Sequence, residues 1–194
     1  MSDIRIDVVD NGGQWTHREW RVLRYVGVKT QIIPNTTPLE DIEADGLVLS
    51  GGATRVGFRP DLLGECSKYL DNGEIPILAI CLGLQFMALY LDGAVGASEA
   101  PEFGRTEIEV IHEDTIFEGV PERFVAWTSH NDHVTVLPEG FRSIARSKNC
   151  EVQAVDHDSR PWFGTQFHPE VEQTEHGYDM FRNYVEFVRE YRKV

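Results

Sequence analysis

The 194-residue sequence lacks several features that would place it in a specialised class of protein. No apolar run is long enough to span a bilayer, and residues 1–5 (MSDIR) have neither the basic nor the apolar region of a signal peptide. Cysteine is scarce: Cys66, Cys81 and Cys150 are an odd number with no CxxC pair, which argues against a disulfide framework. These absences predict a cytoplasmic protein that does not enter a membrane.

Positive charge is scarce as well. The 18 lysine and arginine residues face 32 aspartate and glutamate residues, which gives a formal net charge of −14. Because an acidic protein repels phosphate backbones, nucleic acid is not an expected partner, and solubility is the simplest reason for the acidity. No H-x-x-x-H pair or Cys–His cluster has ligand spacing, so we predict no metal site.

The residues that are present predict one domain over residues 1–194. Hydrophobic residues make up 41% of the chain, enough for a large core. In the first half, apolar runs that end in turn residues alternate with helical patterns, which indicates βαβ units and a mostly parallel sheet. The predicted strands there are 4–9, 29–33, 46–50 and 75–80, and the predicted helices are 16–27, 61–70 and 84–91.

The second half is richer in short strands. The predicted strands are 106–111, 124–127, 133–136, 144–147, 152–156 and 161–167, before a final amphipathic helix over 177–191. The fold class is therefore α/β: a three-layer, open, mostly parallel sheet with additional antiparallel strands. At the first helix, Thr16 and Glu19 have the T-x-x-E spacing of a capping box, and Gly27 is placed to end the helix.

Cys81 lies between a continuous apolar run, residues 75–80 (IPILAI), and an apolar helix. This strand–turn–helix layout is typical of a nucleophile elbow, which exposes a side chain at the carboxyl end of the sheet. The helix N-terminus favours the thiolate form of cysteine. The alternative is a buried cysteine with a packing role only.

His168 and Glu170 follow the strand predicted at 161–167. Pro169 favours an extended backbone, in which residues two apart point to the same side. Glu170 could then hold one imidazole nitrogen while the other faces a thiol, as a base and its orienting acid do. The alternative is a surface salt bridge.

Ser50, Gly51 and Gly52 follow a predicted strand. They could cradle a phosphate, supply a backbone N–H for an oxyanion, or only turn the chain. The sequence continues as ATR, so the Asp and Ser of the pyrophosphate-binding SGGxDS loop are missing, and no GxxxxGK[ST] motif occurs. We therefore expect no nucleotide site in this chain.

Taken together, these segments resemble the class I (triad) glutamine amidotransferases, which share a flavodoxin-like fold. Residues 79–85 (AICLGLQ) are similar to the family's C-x-G-x-Q elbow, and residues 166–170 (QFHPE) to its H-P-E segment. One departure is Ala53, where the family usually has proline. The resemblance covers the whole chain and implies roles for eleven residues: Cys81, His168 and Glu170 as the catalytic triad, Gly52 and Leu82 as the oxyanion hole, and Gly51, Gln85, Ser129, His130, Asn131 and Asp132 as the glutamine pocket.

Within this family the chain resembles the stand-alone glutaminase subunits of GMP synthetases. The similarity lies in residues 10–14 (DNGGQ), residues 129–132 (SHND) and the tail after Glu170, with Thr174 and Gly177. It implies that the chain hydrolyses L-glutamine without a cofactor of its own. A separate ATP-pyrophosphatase subunit, which uses ATP and Mg²⁺, would receive the ammonia and convert XMP to GMP.

Dependence on a loaded partner would require a segment that changes state, and residues 51–60 and 129–133 are the candidates. Two alternatives remain at this stage. One is a glutaminase subunit for another synthase, such as anthranilate synthase. The other is a non-catalytic, amidotransferase-like regulatory module.

Overall fold

The computed structural model describes residues 4–54, 63–113 and 115–193. Within them, nine strands form one sheet in the order β2-β1-β3-β4-β9-β8-β7-β5-β6. The strands are β1 (Ile6–Asp10), β2 (Ile32–Pro34), β3 (Gly46–Leu49), β4 (Ile77–Ile80), β5 (Ala94–Val110), β6 (Arg123–Val136), β7 (Phe141–Arg146), β8 (Ala154–His157) and β9 (Trp162–Thr165). The helices are α1 (Thr16–Val26), α2 (Cys66–Asn72), α3 (Leu82–Tyr90) and α4 (Gly177–Tyr191).

The first five strands of that order pair in parallel: β2, β1, β3, β4 and β9. The other four strands, β8, β7, β5 and β6, are antiparallel to their neighbours. The buried apolar side chains form two clusters, one containing residues of α1 and α4 and the other containing residues of α2 and α3. Each helix pair therefore covers one face of the parallel region. The predicted three-layer α/β fold with additional antiparallel strands is confirmed.

Helix α1 confirms the predicted span but not the predicted capping box. The N-cap residue is Trp15, which makes no side-chain cap hydrogen bond, and Thr16 is already the first helical residue. The Thr16 hydroxyl lies 3.1 Å from Asp10 Oδ1 and 3.2 Å from the Gly13 carbonyl oxygen. The end is as expected: Gly27 has φ 95°, and its N–H contacts the carbonyls of Leu23 and Arg24 at 3.1 Å each.

Two predicted boundaries were wrong in an informative way. The predicted strands 124–127 and 133–136 are parts of one 14-residue strand, β6, so the SHND segment between them lies in a strand and not in a turn. The helix predicted at 61–70 begins at Cys66, and residues 61 and 62 lie outside the described residues. The remaining strands agree with the prediction to within a few residues, except that β5 begins at Ala94, well before residue 106.

Candidate active site

Cys81 connects β4 directly to α3 in a strained backbone conformation, with φ 50° and ψ −103°. A residue other than glycine in such a region costs roughly 1–3 kcal/mol, and the surrounding structure must enforce it. Here the Cys81 N–H donates to the Thr165 carbonyl at 2.7 Å, and the Cys81 carbonyl accepts from the Gln85 N–H at 3.0 Å. The predicted elbow is therefore present, and it directs the sulfur into a cavity at the carboxyl end of the parallel strands.

His168 and Glu170 lie just beyond β9, the strand next to β4. His168 Nδ1 is 2.7 Å from Glu170 Oε1, and both side chains are buried. The His168 backbone is fixed as well, because its N–H donates to the Trp127 carbonyl at 2.9 Å and its carbonyl accepts from Thr174 Oγ1 at 2.6 Å. The Trp15 ring packs edge-on against the imidazole with centroids 4.4 Å apart. The imidazole therefore has one defined orientation.

The pKa of His168 lies well above its usual value. Burial alone lowers this pKa, but the negative charges of Glu170 and Cys81 raise it by more, and Cys81 also shares a hydrogen bond with the ring. By contrast, burial raises the pKa of the Cys66 and Cys150 thiols to about 12. The charged form of His168 is consequently favoured, whereas the other two cysteines stay neutral.

The glycine loop after β3 packs against both catalytic candidates. A Cβ on Gly51 would lie 3.2 Å from His168 Cε1, and a Cβ on Gly52 would lie 2.3 Å from Leu82 Cδ2 and 2.7 Å from the Asn11 carbonyl oxygen. The contact at Gly51 is tight, and at Gly52 only glycine fits without a shift of the surrounding atoms. Leu82 is the first residue of α3, where backbone N–H groups have no acceptor within the helix. The loop thus packs against Leu82, the residue with which it was predicted to form an oxyanion hole.

Every residue predicted for the site lines a single cavity of about 240 Å³. These residues are Gly51, Gly52, Cys81, Leu82, Gln85, Ser129, His130, Asn131, Asp132, His168 and Glu170. Gln85 connects two walls of the cavity, because its Nε2 donates to the Asp132 carbonyl at 2.8 Å and to Gln166 Oε1 at 3.2 Å. Gln166 Nε2 in turn lies 3.6 Å from the Cys81 sulfur.

Residues 129–133, one of the two candidates for a segment that changes state, belong to a strand and not to a loop. They lie inside β6 and pair with β5, with Ser129 opposite Phe103 and His130 opposite Glu102. The other candidate segment, residues 51–60, is described only as far as Thr54, so residues 55–60 lie outside the described residues.

A buried polar network behind His130 was not expected from the sequence. Glu102 receives hydrogen bonds from Ser147 Oγ at 2.6 Å and Gln153 Nε2 at 2.6 Å, and its Oε2 lies 3.1 Å from His130 Nε2. Burial alone raises the pKa of Glu102, but these hydrogen bonds and the nearby His130 lower it by more, and the net pKa is below the usual value. A charged Glu102 therefore holds His130 in the cavity wall.

Trp15 and Glu19 also line the cavity and were not predicted for the site. Glu19 was assigned to a capping box, but its side chain is buried and its Oε1 accepts from the Gly51 N–H at 3.4 Å. A signal existed in the sequence: Glu19 precedes Val22 and Leu23 by three and four residues, so it lies on the apolar face of α1.

In the part of the chain that the structure describes, no group of three or more His, Cys, Asp or Glu side chains could hold a metal ion. None of the described helices combines the length and the apolar character needed to cross a membrane.

Comparison with known proteins places this geometry in context. The family model for class-I glutamine amidotransferases matches residues 7–187. The chain is 48% identical to a subunit of the glutamine-hydrolyzing GMP synthase of Thermoplasma acidophilum, over 98% of this chain and 96% of that protein. It is 47% identical to the corresponding GMP synthase subunit of Pyrococcus abyssi, over 95% of this chain and 99% of that protein.

Solved structures give the same result. A GMP synthase subunit from Thermoplasma acidophilum matches with a TM-score of 0.94 and 47% identity, over 100% of this chain and 98% of that one. A glutamine amidotransferase from Thermotoga maritima matches with a TM-score of 0.73 and 22% identity, over 98% and 84%, and supports the fold alone.

Proposed function

The chain belongs to the class-I glutamine amidotransferase family, and we propose that it is the glutamine-hydrolysing subunit of a GMP synthase. The observation that carries the chemistry is that Cys81, His168 and Glu170 line one cavity, with His168 Nδ1 2.7 Å from Glu170 Oε1. The choice of GMP synthase within the family rests on relatives of that name at 40–48% identity.

In the first half of the proposed reaction, the Cys81 thiolate attacks the side-chain amide carbon of glutamine. The N–H groups of Gly52 and Leu82 stabilise the negative charge that forms on the amide oxygen. His168, charged in the resting pair, gives its proton to the amide nitrogen, so that ammonia leaves and a thioester remains on Cys81. Glu170 keeps the imidazole oriented and favours its charged form.

In the second half, neutral His168 takes a proton from water, and the resulting hydroxide attacks the thioester carbon. The carbon–sulfur bond breaks, glutamate is released, and Cys81 returns to the thiolate beside a protonated His168. Ammonia and glutamate are the two products, and no oxidant, metal or nucleotide is required in this chain.

The relatives are named as one subunit of GMP synthase, which supports a partner subunit for this chain. We infer that this partner is an ATP-pyrophosphatase that uses ATP and Mg²⁺ to activate XMP and then takes up the ammonia. The absence of a phosphate-binding motif in this chain is consistent with that division of labour.

The test follows the side-chain amide nitrogen of glutamine through the complex of this chain with the synthetase subunit. The chain and the synthetase subunit are incubated with XMP, ATP, Mg²⁺ and glutamine that carries ¹⁵N in the side-chain amide. The proposal predicts ¹⁵N-labelled GMP. Cys81→Ala should abolish GMP formation from glutamine but leave it intact when ammonium salt replaces glutamine, since the synthetase subunit needs only ammonia.

Labelled GMP that still forms from glutamine with Cys81→Ala would contradict the assigned nucleophile. Cys81-dependent glutamate release without any GMP would keep the glutaminase and point to another synthase. If the wild-type chain and the synthetase subunit together neither release glutamate nor form GMP from glutamine, the non-catalytic regulatory module is favoured.

A further inference from the structure

Glu19 is a buried acidic side chain in the cavity that the mechanism above does not use. It projects from α1, it is 1% exposed, and it lines the same cavity as Cys81 and His168. Its Oε1 accepts the Gly51 N–H at 3.4 Å, whereas its Oε2 is buried without a hydrogen-bond partner among the described residues. A buried carboxylate oxygen without a partner is costly, so an uncharged carboxyl group is favoured here.

The net pKa shift of Glu19 is in the same direction. Burial raises the pKa of Glu19 well above its usual value, and the carboxylates of Glu170 and Asp10 raise it further, while His168 and the Gly51 N–H bond lower it by less. Burial and these carboxylates therefore favour an uncharged Glu19, whereas Glu170 is the carboxyl group that pairs with His168 at 2.7 Å.

The glycine loop needs an anchor at Gly51. Ser50 is already fixed to the end of β1, because the Asn11 N–H donates to Ser50 Oγ at 2.9 Å and Asn11 Nδ2 donates to the Ser50 carbonyl at 3.1 Å. On the other side of the two glycines, the loop continues with Ala53, whose backbone φ is not restricted as that of a proline would be. The Gly51 N–H bond to Glu19 lies between these two points and next to Gly52.

We propose that Glu19 is a positioning residue that acts as an uncharged carboxylic acid. It accepts the Gly51 N–H bond and holds the glycine loop against His168 and Leu82, so that the Gly52 N–H is in place when the oxyanion forms. It does so without adding a second negative charge beside Glu170. This inference rests on the proposed function, because the oxyanion exists only in that reaction.

The test compares three variants in the complex with the synthetase subunit, XMP, ATP and Mg²⁺. Glu19→Gln keeps an acceptor for the Gly51 N–H and stays uncharged, so kcat for glutamine hydrolysis should remain within about threefold of the wild type. Glu19→Met keeps the length but has no comparable acceptor, so kcat should fall about 10- to 100-fold while KM stays within about threefold.

Thermal stability separates positioning from simple packing. Glu19→Met removes an unpartnered buried oxygen, so its Tm should equal or exceed that of the wild type although its kcat is lower. Val22→Ala, one turn further along α1 in the apolar core, should lower Tm and leave kcat unchanged.

Three results would overturn the inference: Glu19→Gln as impaired as Glu19→Met, Glu19→Met with wild-type kcat, or kcat that follows Tm in all three variants. Cys81→Ala in the same assay keeps this failure apart from failure of the proposed function. If wild-type glutamate release depends on Cys81 and only the Glu19 result fails, the glutaminase stands and the positioning role does not.

Discussion

At the level of individual side chains, the surroundings give the same chemical group different roles. Three buried glutamates lie in or beside the cavity. Glu170 has one oxygen without a hydrogen-bond partner among the described residues but pairs through the other with His168 at 2.7 Å, and Glu102 receives hydrogen bonds from Ser147 and Gln153. Glu19 also has one oxygen without a partner there, and its other oxygen accepts only a long bond of 3.4 Å from the Gly51 N–H. The first two are suited to carry charge and the third is not, because a buried charge needs hydrogen bonds or an opposite charge.

The addition of a single Cβ atom to the glycine loop tests the proposed oxyanion hole. In Gly52→Ala the new Cβ would lie 2.3 Å from Leu82 Cδ2 and 2.7 Å from the Asn11 carbonyl oxygen. The Leu82 side chain can rotate but the Asn11 backbone cannot, so the loop must move away from Asn11 and the Gly52 N–H moves with it. We expect kcat for glutamine hydrolysis to fall at least about 100-fold, as when one oxyanion donor is lost. Steady-state kinetics of glutamate release measure this.

Gly96→Ala is the matched control for that substitution. Gly96 lies in β5, and its added Cβ would meet only Thr135 Cγ2 at 3.3 Å and Thr135 Oγ1 at 4.0 Å. Its kcat should stay near the wild-type value. A Gly52→Ala variant as active as Gly96→Ala would refute the place given to the Gly52 N–H in the mechanism.

Local motifs were sufficient to single out Cys81, His168 and Glu170 as candidates, but they did not single out Glu102. Cys81 could be predicted because a strand, a turn and a helix follow one another in the sequence, and Glu170 because it stands two residues from His168. Glu102 could not, since its role depends on the pairing of β5 with β6, which places it opposite His130 from 28 residues away.

At the level of elements, the β5–β6 hairpin forms one wall of the cavity, and its inner face is polar. Thr128, His130 and Asp132 are buried on alternate positions of β6, whereas Asn131 between them is exposed. This period of two is the signature of a strand. Hydrophobicity alone missed it, because the buried residues of this segment are polar and contact partners that are distant in sequence.

Glu102→Gln tests the network that supports this wall. The new amide nitrogen would meet the donors of Ser147 or Gln153, so buried hydrogen bonds are lost and the free energy of unfolding should fall by about 1–3 kcal/mol near pH 7. Because His130 loses its charged partner, KM for glutamine should rise more than kcat falls. Urea unfolding and steady-state kinetics measure the two effects.

The pH dependence of the same variant has a definite sign. The pKa of Glu102 is lowered in the folded protein, so its stabilising effect is present above the unfolded pKa of about 4.5 and is lost as the pH falls through the lower folded value. The stability difference between wild type and Glu102→Gln should therefore shrink below about pH 4.5. A difference that grows with acidity would contradict a charged Glu102.

At the level of the whole molecule, the site forms where the parallel strands end beside the antiparallel strands. The neighbouring strands β4 and β9 pair Ile80 with Thr165, so Cys81 and the segment that carries His168 emerge side by side. Helix α1 and its N-cap residue contribute Glu19 and Trp15 from one side, and β6 contributes residues 129–132 from the other.

The sequence predicted this architecture because apolar periodicity distinguishes strands from helices, and because βαβ connections favour a parallel sheet. It could not predict the strand order at β7, β5 and β6, since sequence neighbours do not always pair in space: β5 lies between β6 and β7.

The central claim is that this chain hydrolyses glutamine through Cys81. The most direct test is glutamate release from glutamine by the wild type, Cys81→Ala and Cys66→Ala, each with the synthetase subunit, ATP, Mg²⁺ and XMP. Cys66 is the control because it is also buried, lies outside the cavity lining, and has a thiol pKa of about 12. We predict release by the wild type and Cys66→Ala and none by Cys81→Ala; release by Cys81→Ala at the wild-type rate would contradict the account.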